Sequence, residues 1–151
     1  MYEAKLKEMG IELPETPKPL ASYVPAVQAG DYVFTSGQIP LAGGELKYKG
    51  KVGADISEEQ GYAAAKLCAI NCLSAIKTLI GSLDKIEKVT KVTGFVNSAP
   101  GFTAQPKVIN GASDFLGEVF GEAGKHARAA VGVSELPINA AVEVELIVKL
   151  K

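Results

Sequence analysis

The chain has 151 residues, 47% of them hydrophobic and 22% charged, with 16 basic and 17 acidic side chains and a formal net charge of −1. That length can bury a core without disulfides or metals. The near-neutral balance excludes recognition of nucleic acid or an anionic membrane by bulk charge.

Residues 2–10, YEAKLKEMG, place Tyr2, Leu6 and Met9 on one face of a short helix that Gly10 stops. ELPETPKP follows, with three prolines in eight residues. It cannot continue a helix or an interior strand and predicts an extended arm on the body. The expected division is residues 1–20 as helix and arm, and 21–151 as one domain. In the next block, β-rich runs flank Ala29-Gly30-Asp31 and predict a hairpin. Tyr32, Phe34 and Ser36 then face one way, Val33 and Thr35 the other. Ala42-Gly43-Gly44 is a second turn, with a further short strand expected over 46–52.

Ser57-x-x-Gln60 is a capping box that opens a long helix. Ala65, Cys68, Ala69, Cys72, Ile76, Leu79 and Ile80 recur at helical spacing, and Gly81 ends the pattern. Residues 86–96, IEKVTKVTGFV, read as a strand. A second helix is expected from Pro106, with Val108, Ala112, Phe115, Leu116 and Val119 inward and Gly121 to Gly124 as its end. Two strands close the chain, over 127–133 and 141–149, the second with Val142, Val144, Leu146 and Val148 on one face. The order predicts an α+β fold, two helices on one face of a mixed sheet.

The two cysteines, Cys68 and Cys72, sit one helical turn apart and read as small core residues. Free thiols without a signal-like segment predict a cytoplasmic protein. No apolar run is expected to reach membrane-spanning length. His126 is the only histidine, which excludes a histidine metal cluster, and it reads as a partly exposed loop residue. No phosphate-binding or dinucleotide glycine motif is present, so no metal or cofactor is expected.

Arg128 is the most informative residue. It lies in a strand among Ala127, Ala129, Ala130 and Val131, with room around its guanidinium. A planar donor fork in a small-residue hollow suits a carboxylate. It equally fits a structural ion pair with Glu143 or Glu145 of the next strand. Those two glutamates share a face that, by alternation, would ordinarily be solvated unless another subunit covers it. Phe102, in a glycine-rich loop, reads as a packed anchor.

Two segments carry a resemblance. Ser36-Gly37-Gln38-Ile39-Pro40 and Ala127 through Pro137 (ARAAVGVSELP), followed by Val142-Glu143-Val144-Glu145, resemble the Rid (reactive intermediate deaminase) or YjgF family, often labelled endoribonuclease L-PSP. The resemblance implies a chorismate-mutase-like fold and a homotrimer with clefts between subunits. It implies hydrolysis of reactive 2-imino or enamine acids to 2-oxo acids and ammonia. Matched by position, Arg128 falls on the arginine that holds the substrate carboxylate, and Glu143 on the glutamate that positions the attacking water. Tyr23, Ser36 and Gly37 fall on cleft positions, and Asn110 on a cleft asparagine. Ala130 replaces a cysteine common in the best-known branch, at a backbone contact. The longer 97–110 segment and the N-terminal arm resemble a longer sub-branch. The alternatives are a non-catalytic carboxylate-binding trimer, an endoribonuclease and, last, a chorismate mutase.

Overall fold

The computed structural model describes residues 1–16 and 22–151. The last part of the expected arm, residues 17–21, lies outside the described residues. Helix α1 spans Tyr2–Glu8, with Leu6 buried and the Tyr2 ring 4.5 Å from that of Phe120. Residues 11–16 then run without regular structure along a helix of the body. The Ser74 hydroxyl donates to the Pro14 carbonyl, and Thr16 Oγ1 lies 2.9 Å from Thr78 Oγ1. The arm is thus tied by hydroxyls rather than by burial alone.

Strands β1 (Ala26–Ala29) and β2 (Tyr32–Thr35) form the expected hairpin about Gly30, whose φ of 59° suits the tight turn. In β2, Val33 and Thr35 are buried while Tyr32 and Phe34 are exposed, as alternation predicts. The strand expected over 46–52 is not there as such. Two-residue strands β3 (Leu41–Ala42) and β4 (Glu45–Leu46) pair around Gly43-Gly44, and only isolated bridges follow at Lys49 and Val52. Gly50 and Gly53 both take positive φ, which breaks any continuous ladder.

Helix α2 (Glu58–Ile80) begins at the Ser57 capping box and stops at Gly81, with φ of 89°. By length and composition it could cross a membrane, contrary to expectation. Its buried stripe, including Ala65, Cys68, Ala69, Cys72 and Ile76, instead packs in the hydrophobic core. Strand β5 (Ile86–Asn97) precedes α3 (Gln105–Phe120), in which Pro106 sits in the first turn. After a 3₁₀ turn come β6 (Ala127–Val133) and β7 (Val142–Leu150).

The five-stranded sheet has the order β1-β2-β7-β5-β6. Among the described residues, β5 and β6 of this sheet run parallel and its other strand pairs are antiparallel. Val89, Val92, Val96, Val142, Val144, Leu146 and Val148 form its buried face, against α2 and α3. Both helices therefore cover one face, and the α+β expectation holds. The cysteines are core residues: their thiols lie against the Val142 and Val144 carbonyls, and burial pushes the Cys72 thiol up to about 12.

Candidate functional site

Strand register sorts the expected site residues into two sets. Arg128 pairs with Val92 of β5, which pairs with Leu146 of β7, and both are buried on the helix-covered face. Glu143 pairs with Phe95 and Glu145 with Thr93, one residue out of phase, on the open face. Alternation thus places Arg128 and Glu143 on opposite sides of the sheet. Among the described residues Arg128 forms no ion pair, so the structural pairing with Glu143 or Glu145 does not occur.

Arg128 lies on edge strand β6 and reaches over the start of α3. Its Nη1 donates to Asn110 Oδ1 at 2.8 Å and to Ser113 Oγ at 3.1 Å. Its Nη2 donates to the Pro106 carbonyl at 3.2 Å. A guanidinium carries five N–H groups. Among the described residues, Nε–H and one Nη2–H are left, two donors of the kind that engage a carboxylate. Ala130 and Gly132 share the Arg128 face by alternation, and Gln105 and Ser98 close over Gly132, where an added Cβ would lie 2.6 Å from Gln105 Nε2. Asn110 thus stands beside Arg128.

Glu143 belongs to the second set. Gln38 and Val144 exchange backbone hydrogen bonds of 2.8 and 3.0 Å, locking the segment after β2 against β7. Gly37 thereby lies over the Glu143 side chain: an added Cβ would be 2.6 Å from its Oε2. Burial first, and then the neighbouring Glu145, raise the Glu143 carboxyl above the ordinary glutamate range. Ser36 donates to the Val24 carbonyl at 2.6 Å, fixing the chain next to Tyr23, which is 54% exposed. Tyr23, Ser36, Gly37 and Glu143 therefore share one region, away from Arg128, Asn110 and Ala130.

A family model described as "YjgF/chorismate_mutase-like, putative endoribonuclease" matches residues 3–150. The chain belongs to this YjgF family. A structure from Agrobacterium tumefaciens of unknown function, Atu1372, is 45% identical, covers 99% of this chain and 92% of its own, and has a TM-score of 0.92. The 2-iminobutanoate/2-iminopropanoate deaminase of Dermatophagoides farinae is 33% identical across 93% of this chain and 95% of the relative. TdcF of E. coli, solved with bound serine, is 28% identical over 91% of this chain and 94% of its own, with a TM-score of 0.62.

The open face of this YjgF-family sheet is apolar around its carboxylates. Val27, Tyr32, Phe34 and Val131 are 39–49% exposed there, beside Phe95 and Ile147. At the loop before β7, Ile138 is 63% exposed with φ of 51°, a left-handed conformation that costs a branched side chain roughly 1–2 kcal/mol. Phe102 packs against the core and over Gly53, the anchor expected. Two residues near Arg128 escaped the sequence reading as partners of the site. Ser113 shares a helical face with Asn110, three residues earlier, and that spacing is the signal that could have found it. His126 is half-buried and bonded on both ring nitrogens.

Proposed function

We propose that the protein hydrolyses 2-imino or enamine acids to 2-oxo acids and ammonia, in clefts formed between the subunits of a homotrimer. The observation that carries this reading is that Arg128, held by Asn110, Ser113 and Pro106, keeps two N–H donors without a partner among the described residues. The deaminase from D. farinae and the serine bound to TdcF support a small carboxylic acid as the ligand.

In this reading the substrate carboxylate sits on Arg128 of one subunit, with the Ala130 backbone beside it. Glu143 of a neighbouring copy holds a water against the imine carbon, with Tyr23, Ser36 and Gly37 lining that side. Water adds to the C=N bond, and one of its protons passes through Glu143 to the nitrogen. The resulting carbinolamine collapses to the ketone, and ammonia leaves. The substrate is already electrophilic, so holding it and aligning the water supplies the main acceleration. A carboxylate raised above its usual range is suited to take and return that proton. A ribonuclease reading has less support, because the chain holds one histidine and a net charge of −1.

The test is ammonia release from 2-aminoacrylate generated in situ, comparing wild type with Arg128→Ala. Acceleration by wild type alone supports the reading. Equal rates with both proteins eliminate it.

A further inference from the structure

We propose that His126, acting through Ser113, is a positioning residue for Arg128, so that carboxylate capture follows the protonation state of His126. The proposal rests on the reading of Arg128 as the carboxylate anchor. His126 Nδ1 lies 2.6 Å from the Gly124 carbonyl oxygen, and Nε2 lies 2.8 Å from Ser113 Oγ. A carbonyl can only accept, so Nδ1 carries the hydrogen. In the neutral ring Nε2 is then an acceptor, and Ser113 must donate to it. That leaves the Ser113 oxygen to accept from Arg128 Nη1 at 3.1 Å. The donors run in one direction, from Arg128 to Ser113 to His126 to Gly124.

Protonation breaks this order. An Nε2–H would point at the same oxygen that Arg128 already uses, and Ser113 would have to turn its own hydrogen away. A second positive charge would also stand beside the guanidinium. The surroundings of the ring oppose that charge. Burial holds the imidazole below the ordinary histidine range, against the raising effect of the Gly124 bond, and Arg128 of β6 and Lys88 of β5 add to the lowering. Glu122 and Lys125 of the preceding turn pair with each other at 2.8 Å. On α3, Asp114 is engaged by the Tyr62 hydroxyl at 2.7 Å, and Lys91 of β5 lies by alternation on the open face. The ring is therefore neutral at physiological pH and keeps Arg128 aimed.

His126 is the only histidine, so its ring signals in ¹H–¹⁵N NMR are unique. The expected result is an Nδ1–H tautomer at neutral pH, and an Arg128 Nε–H signal that shifts with the midpoint of the ring. Pyruvate, a stable 2-oxo acid, serves as the binding probe. Its affinity should fall roughly fivefold, the worth of one hydrogen bond, as pH drops through that midpoint. His126→Leu should weaken binding across the range. His126→Gln, whose amide oxygen still accepts from Ser113, should restore it without the pH step. An Nε2–H tautomer, an Arg128 signal that ignores the ring, or the same pH step in His126→Gln would each overturn the proposal. Wild type that binds no pyruvate at any pH would sink the anchor reading and the capture claim together. The NMR coupling would then still decide whether the relay exists.

Discussion

The carboxylate of Glu143 rests on Gly37: a methyl group added there would lie 2.6 Å from Oε2 and 2.7 Å from Cδ. The φ of Gly37 lies outside the left-handed region, so alanine is opposed by this contact and not by the backbone. Gly37→Ala should push the carboxylate aside while the Gln38–Val144 backbone bonds hold the sheet together. A displaced water should cost about a hundredfold in turnover. Steady-state ammonia release with a thermal melt checks this. Full activity in a folded variant would remove Glu143 from the reaction.

Glu143 also sets an opposition between stability and activity. Burial, and then Glu145, raise its carboxyl above the ordinary value of 4.5. The unfolded chain therefore ionises first as pH rises. The stability linked to this group is fully present below about 4.5 and is lost as pH climbs through the folded value. Glu143→Gln should accordingly melt higher than wild type at pH 7, lose that advantage near pH 4, and give no acceleration of ammonia release. Melts at the two pH values and one activity assay separate these outcomes.

Helix α3 carries two glycines with opposite expectations. A Cβ on Gly111 would lie 1.9 Å from the Tyr62 backbone carbonyl of α2, so the helices cross where no side chain fits. Gly111→Ala should destabilise by about 3 kcal/mol or more, lowering Tm by roughly 6–12 °C. Among the described residues a Cβ on Gly117 would meet nothing within 4 Å, and Gly117→Ala should stabilise by about 0.5–1 kcal/mol. Calorimetry of both variants tests the packing of the two helices directly.

Much of this fold is local and was readable as such. The Ser57 capping box and Gly81 mark the ends of α2, and alternation alone puts Val142, Val144, Leu146 and Val148 inward. Residues 46–52 failed because their backbone groups bond to distant loops, as Gly50 does to the Asn139 carbonyl. The site divides along the same line. Arg128 stood out by its small neighbours, but its partners on α3 lie 15 to 22 residues earlier and come from tertiary packing. Alternation gave the face of Glu143. It could not say that β1, β2 and β6 surround that face with exposed apolar side chains, because each strand adds only one or two.

That face supplies the last prediction. A monomer rarely exposes a large contiguous apolar patch, and Val27, Tyr32, Phe34 and Val131 gather on one side of the sheet. Arg128 and Glu143 point to opposite sides of it, so one chain cannot bring both to a single substrate. If copies of the chain join them, two inactive variants should complement each other. Arg128→Ala and Glu143→Gln subunits, unfolded together and refolded as an equal mixture, should regain about a quarter of wild-type turnover, because a cleft is intact only when each side happens to come from the correct variant. Val131→Asp should yield a folded monomer by light scattering and no turnover. A mixture as inactive as its components, in assemblies shown to contain both chains, would mean that the two groups do not meet across subunits.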